Sequence, residues 1–163
     1  MRSFRAALQV LNTMKDEGVI ADYAIAGAIA LAFWTEPVAT YDLDVLVFLP
    51  PGKGTLVSLD PIYRWIKARG FRAKEEHVLL DGVPTQFVPS PNELSDEAIS
   101  SAKTKDYEGV PVRVVRPEHL IALYLQPGAR TAKRRERAAA LLELPGLKRA
   151  ELDRILDKYG LSF

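Results

Sequence analysis

Apolar and polar positions follow two different periods along this chain, and together they predict both helices and strands. Apolar residues recur at three- and four-residue spacing over residues 3–17 and stop at Gly18, which is typical of an amphipathic helix. A short apolar run at 23–26 predicts a first strand. The apolar residues 29–34 favour a short buried helix, although a continued strand would show the same pattern.

The next apolar run begins after two acids. Asp42 and Asp44 precede an almost unbroken apolar segment at 45–49, which is typical of a central strand covered on both faces. Turn residues follow, and residues 58–69 then have the spacing of a helix closed by Gly70.

Further strands are predicted in the middle of the chain. The stretches 72–80 and 83–88 have strand composition, and Asp81-Gly82 between them is a strong signal for an antiparallel hairpin. Residues 103–109 are polar and predict a bend, after which residues 110–115 return to strand composition. Helices and strands are therefore intermingled.

The C-terminal third is mainly helical in pattern. Pro91 and Asn92 introduce a helix that reaches about residue 102, and Pro117 suits the first position of a helix that reaches residue 125. Two more helices are predicted at 131–144 and 148–158.

The length and the order of elements predict one compact unit, because 163 residues can bury a sizeable core. We expect an α+β fold, with a mixed sheet flanked by helices at residues 1–116. A helical C-terminal extension at residues 117–163 is expected to pack on that core.

Composition excludes several classes of function. The 22 lysines and arginines balance 21 acids, so the overall charge argues neither for a general nucleic-acid binder nor for an acidic tail. No cysteine is present, so disulfides, thiolate metal sites and cysteine nucleophiles are excluded. The N-terminus lacks a signal-peptide pattern and no run approaches about 18 apolar residues, so we expect a cytoplasmic protein with no membrane partner.

The paired acids are the main chemical signal in the sequence. Strand side chains alternate between faces, so Asp42 and Asp44 should point the same way, roughly 6 to 7 Å apart. Two such carboxylates repel each other, and one is expected to keep its proton unless a cation lies between them. A divalent metal, Mg²⁺ or Mn²⁺, is the simplest cation, while aspartates that only cap a turn are the ordinary alternative.

A small-residue turn precedes the acids. Gly27-Ala28 lies between the first strand and the short helix, where backbone amides can approach a phosphate group. Tight packing of a helix on a strand explains the same residues equally well.

The order of these motifs resembles the nucleotidyltransferase superfamily. The resemblance rests on Gly27-Ala28 followed by Thr40-Tyr-Asp42-Leu-Asp44-Val, and it covers about residues 20–145. The segments 83–89 and 109–123 are similar to the branch that contains the AbiEii toxins of type IV toxin–antitoxin systems. That similarity implies a possible antitoxin or other protein partner.

The family resemblance implies transfer of a nucleoside monophosphate from a nucleoside triphosphate to an acceptor, with release of pyrophosphate. Asp42 and Asp44 would hold magnesium, and Gly27 and Ala28 would approach the triphosphate through their backbone. Thr40 would support the acids by a local hydrogen bond. The acceptor could be RNA, a protein hydroxyl or a small molecule.

Departures from the family pattern leave a second function open. The third acid of the family falls at Gln86, whose neutral amide is neither a base nor a strong magnesium ligand. The chain is therefore either an active nucleotidyltransferase or a catalytically silent module that binds a protein or RNA. An acid from another part of the chain, such as Asp81 or Glu76, could take the place of the missing third acid.

A basic segment supplies candidate phosphate contacts in place of the acidic residue found in relatives. Arg130, Lys133, Arg134 and Arg137 follow helical spacing, so their charges could meet a triphosphate or an RNA backbone, or form a solvated face. Neither His77 nor His119 has a pattern that predicts catalysis.

Overall fold

The computed structural model describes residues 4–35, 42–50, 58–74, 77–128 and 131–163. Within these residues, seven strands form one mixed sheet in the order β3-β4-β5-β2-β1-β7-β6. The strands are β1 (Asp22–Ala26), β2 (Leu43–Phe48), β3 (Arg72–Lys74), β4 (His77–Leu80), β5 (Val83–Pro89), β6 (Lys103–Tyr107) and β7 (Val110–Val114). The helices are α1 (Phe4–Asp16), α2 (Gly27–Trp34), α3 (Asp60–Ala68), α4 (Glu93–Ser100), α5 (Pro117–Tyr124), α6 (Ala132–Leu142) and α7 (Arg149–Tyr159). The predicted α+β class is confirmed.

The strand that follows the two acids is central, as its composition predicts. β2 pairs with β1 in antiparallel fashion and with β5 in parallel. The successive residues Val45, Leu46 and Val47 are all buried, so both faces of this strand are covered. The beginning of β2 is thus fixed on both sides by neighbouring strands.

The hairpin predicted at Asp81-Gly82 is confirmed. Both residues have positive φ, 48° and 81°, which is the conformation of a type I′ turn. The single strand predicted at 72–80 is wrong, because β3 and β4 are antiparallel partners in which Arg72 pairs with Leu79. The chain reverses between residues 74 and 77, where the sequence has no glycine or proline to signal a turn.

The polar bend predicted at 103–109 is also wrong over most of its length. Residues 103–107 form β6, which pairs with β7 at one edge of the sheet, and only Glu108 and Gly109 form the turn. Their φ values are 48° and 86°. The strand is polar because Lys103, Thr104 and Asp106 are exposed, and charged residues are typical of sheet edges.

The helices largely follow their predicted positions. The segment at 29–34 is a helix, α2, rather than a continued strand. Asn92 caps α4 by accepting a hydrogen bond from the Ser95 amide at 2.9 Å. Thr131 caps α6 by accepting one from the Arg134 amide at 3.1 Å. Pro117 is the first residue of α5, where its missing N–H is not needed.

The C-terminal helices pack onto the rest of the molecule through α5, which contacts α2, α4, α6 and α7. Buried side chains from both parts belong to one hydrophobic core, for example Leu46 from the sheet and Leu141 from α6. The division of the chain at residues 116 and 117 stays a prediction. None of the described helices is long and apolar enough to cross a membrane.

Candidate functional site

Asp42 and Asp44 lie at the start of the central strand. Asp42 immediately precedes β2 and its side chain is 55% exposed, whereas Asp44 is the second residue of the strand and is half-buried. Burial raises the pKa of Asp44, and the negative charge of Asp42 raises it further. The mutual repulsion expected from the spacing is therefore present, and it favours a cation beside these carboxylates.

Gly27 is fixed by its close approach to Asp44. Its φ is +62°, and a Cβ added there would lie less than 3.0 Å from Asp44 Oδ2 and 3.2 Å from Asp44 Cβ. The neighbouring strands explain this contact, because Ala26 pairs with Asp44 directly before the chain enters α2. The start of α2 is therefore packed tightly on β2 at Gly27, as the alternative explanation of Gly27-Ala28 predicts, and an approach of these backbone amides to phosphate stays a prediction.

The N-terminus of α2 consequently lies next to the acids. Its N-cap residue is Ala26, and no described side chain caps this end of the helix. Ala28 is buried in the first turn of the helix. An uncapped helix N-terminus, with the positive end of its dipole, therefore lies next to Asp44, an arrangement that favours phosphate.

Gln86 lies directly beside Asp44. The two residues are paired across the parallel strands β2 and β5, so their side chains project from the same face of the sheet. Asp81 lies in the β4–β5 turn that leads into β5, five residues before Gln86, and its service as a third acid stays a prediction. Glu76 lies outside the described residues.

His77 belongs to the same cluster, which the sequence pattern did not predict. The register in which Val78 pairs with Thr85 brings His77 level with Gln86. His77 Nε2 lies 3.8 Å from Asp42 Oδ2. The strand reversal before His77 hides this proximity in the sequence, because no turn residue marks it.

Two arginines of α6 face the acids. The positive charges of Arg134 and Arg137 both act to lower the pKa of Asp44, against the larger effects of burial and of Asp42. Lys133 is exposed on the same helix. Two other predicted contacts, Thr40 and Arg130, lie outside the described residues.

The sequence analysis also missed Tyr124, the last residue of α5. Its side chain is buried, and the Arg134 guanidinium lies 6.0 Å from the centre of its ring. A tyrosine at the end of an apolar helix gives no sequence signal that it lies near the candidate site. Only the packing of α6 against α5 brings it to the site.

The donor atoms fit magnesium held jointly with a phosphate ligand. Within the described residues, no group of three acidic or histidine side chains forms a complete metal cage. Asp42 and Asp44 provide two hard carboxylates, and Gln86 lies beside them. Magnesium commonly binds one or two carboxylates together with substrate phosphates, so this set is sufficient.

Comparison with known proteins identifies the fold. No protein-family model matches this chain, and no curated protein matches its sequence. A nucleotidyltransferase-like antigenic protein from Paracoccidioides brasiliensis superposes with a TM-score of 0.57 at 17% identity, over 95% of this chain and 86% of that one. The chain has a nucleotidyltransferase fold.

Two structures of the antibiotic-resistance factor ANT(2'')-Ia share this nucleotidyltransferase fold. The solution structure has a TM-score of 0.55 at 17% identity, over 96% of this chain and 90% of that one. The crystal structure, a complex with adenylyl-2''-tobramycin, has a TM-score of 0.58 at 16% identity, over 96% of both chains. The narrower similarity to AbiEii toxins stays a prediction.

Proposed function

We propose that this protein is a magnesium-dependent nucleotidyltransferase. The observation that carries the proposal is the position of Asp44, which is half-buried beside Asp42 and lies against the N-terminus of α2 within a nucleotidyltransferase fold. A raised carboxylate pKa at a helix N-terminus suits a site that binds a cation and a polyanion together.

The proposed reaction moves a nucleotidyl group. The oxygen of an acceptor hydroxyl loses its proton to solvent and bonds to the α-phosphorus of a nucleoside triphosphate, the bond from that phosphorus to the oxygen bridging the α- and β-phosphates breaks, and pyrophosphate leaves. Asp42 and Asp44 would hold Mg²⁺ or Mn²⁺. The ion, when bound, neutralises charge on the triphosphate and on the leaving group.

The remaining residues position the triphosphate. In the proposed site, the backbone amides at Gly27 and Ala28, in the uncapped first turn of α2, would contact the phosphates. Arg134 and Arg137 supply positive charge beside Asp44, and Lys133 is close along the same helix. In the proposed site, Thr40 supports the acids and Arg130 adds a further phosphate contact.

The acceptor class is also part of the proposal. ANT(2'')-Ia has been crystallised with an adenylylated aminoglycoside, adenylyl-2''-tobramycin, and it shares the fold of this chain over nearly its whole length. A hydroxyl group of a small molecule is therefore one candidate acceptor, beside RNA and a protein hydroxyl. An antitoxin partner and a cytoplasmic location remain predictions.

Gln86 supports a second candidate function. The residue lies opposite Asp44 in the register of β2 and β5, at the position where the family resemblance expects a third carboxylate that would act as a base or metal ligand. A catalytically silent module would bind the triphosphate, a protein or RNA, but it would not transfer a nucleotidyl group. Binding and transfer therefore have to be measured separately.

The test uses triphosphates labelled at the α-phosphate, incubated with the protein, Mg²⁺ or Mn²⁺, and a cell extract. We expect wild type to transfer label and Asp44→Asn to reduce the rate by at least about 100-fold, as loss of a charge-stabilising group in a transition state does. Binding measured by titration calorimetry without transfer under either metal would support the silent module. Indistinguishable triphosphate binding by both proteins would contradict the site assignment.

A further inference from the structure

Tyr124 has a buried hydroxyl group that the charge of Asp44 reaches. The residue ends α5, and its side chain is 2% exposed. Among the described residues, no group makes a hydrogen bond of full geometry with Tyr124 Oη. Buried hydroxyl groups nearly always have a partner, because leaving one unsatisfied costs the free energy of its lost hydration.

Tyr23 provides an internal contrast. Its side chain is fully buried as well, but its hydroxyl donates to Asn12 Oδ1 at 2.7 Å and accepts from the Arg113 amide at 3.4 Å. The protein can therefore satisfy a buried tyrosine where its role is structural. Among the described residues, the Tyr124 hydroxyl has no such hydrogen-bond partners, and Tyr124 lies near the candidate site.

The surroundings of Tyr124 place its hydroxyl at the candidate site. Burial is the largest cause of its raised pKa, the charges of Arg137 and Arg134 act in the opposite direction, and Asp44 raises it. The Arg137 guanidinium approaches the hydroxyl without completing a hydrogen bond. Arg134 is exposed, and its guanidinium lies 6.0 Å from the centre of the ring.

We propose that the Tyr124 hydroxyl donates a hydrogen bond to a phosphoryl oxygen of the bound triphosphate, in the pyrophosphate part that leaves. This inference rests on the proposed function and adds a substrate-contacting residue to it. Phosphate oxygens are strong acceptors, and Arg134 and Arg137 provide the charge that would hold them near the hydroxyl. A neutral donor and two cations then bind the same anion.

The experiment compares Tyr124→Phe with Tyr23→Phe, since each substitution removes one buried oxygen. Affinities for Mg²⁺ with a nucleoside triphosphate, and for Mg²⁺ with inorganic pyrophosphate, are measured by calorimetry, and melting temperatures are measured without ligand. We expect Tyr124→Phe to weaken both affinities about tenfold and to keep or raise the melting temperature. Tyr23→Phe should lower the melting temperature and leave both affinities unchanged.

The outcomes separate this inference from the proposed function. If wild type binds the triphosphate and Tyr124→Phe binds it equally well, the role of Tyr124 is wrong and the proposed function stands. A fall in the melting temperature of Tyr124→Phe as large as that of Tyr23→Phe would also overturn it, because it would reveal a protein partner for the hydroxyl. Failure of wild type itself to bind either ligand would overturn both proposals.

Discussion

Two carboxylates in this protein have similar neighbours and opposite electrostatics. Each lies near one histidine and two basic residues: Asp44 near His77, Arg134 and Arg137, and Glu97 near His119, Arg154 and Lys158. Burial alone would raise the pKa of Glu97, but hydrogen bonds from those three neighbours outweigh it and lower the pKa to about 2. Burial and Asp42 instead raise the pKa of Asp44.

The two carboxylates differ in pKa because they differ in the hydrogen-bond donors around them. Glu97 accepts from His119 Nε2 at 2.7 Å and from Arg154 and Lys158 at 3.1 Å each, which ties α4 to α5 and α7. Within the described residues, no comparable set of donors ends on Asp44. A carboxylate whose oxygens already accept several hydrogen bonds, such as Glu97, stabilises the fold. A carboxylate such as Asp44, which has charged neighbours but fewer hydrogen-bond donors, is suited to binding a ligand. The residue types alone do not distinguish the two clusters.

The largest predicted effect concerns the backbone beside Asp44. Gly27→Ala should lower the free energy of unfolding by about 3 kcal/mol, because it adds a side-chain clash with Asp44 to the strain of a positive φ. Gly18→Ala is the matched control, since Gly18 has φ +75° and nothing within 4 Å of an added Cβ. Urea denaturation measures both values.

The double variant Gly27→Ala/Asp44→Ala sharpens this test, because removing the carboxylate also removes the clash. We expect it to be more stable than Gly27→Ala alone. Equal losses in Gly27→Ala and Gly18→Ala would mean that Asp44 does not lie against Gly27.

A smaller loss of stability is predicted for a substitution at Glu97. Glu97→Gln should lower the free energy of unfolding by about 2 kcal/mol, because it removes the charge on which three donors converge. Glu93→Gln is the matched control on the same helix, since Glu93 is 77% exposed and lies 3.9 Å from Lys158. Its effect should stay within about 0.5 kcal/mol.

The pH dependence of the Glu97 contribution has a defined sign. Its folded pKa of about 2 is below the ordinary value of 4.5, so the contribution is fully present above pH 4.5 and is lost as pH falls towards 2. The stability difference between wild type and Glu97→Gln should therefore shrink over that range in thermal denaturation. A difference that is constant with pH would show that the charge of Glu97 is not what stabilises the fold.

Sequence periodicity predicted most elements because each depends on local pattern. The central strand and the Asp81-Gly82 hairpin followed from apolar composition and turn residues, whereas the place of Gln86 near Asp44 followed only from the family resemblance. The polar strand β6 was missed because an edge strand needs no apolar face. Local pattern therefore fails for a segment such as β6, which is polar but forms a strand.

The rest of the site depends on tertiary packing. His77 reaches Asp42 only because the chain reverses between β3 and β4. Tyr124 and Arg137 meet because α6 folds back on α5. The spacing of arginines on α6 predicted a basic face, but not which of them would act on Asp44.

The most direct test of the central claim compares the melting temperatures of wild type and Asp44→Asn at pH 7, with and without Mg²⁺ and a nucleoside triphosphate. The folded pKa of Asp44 is raised above its ordinary value of 3.8, so stability present below that value is lost as pH rises through the folded pKa. Asp44→Asn should therefore melt higher than wild type without ligand. With ligand the order should reverse, because only wild type gains binding energy. Equal ligand-induced shifts in the two proteins would contradict the account.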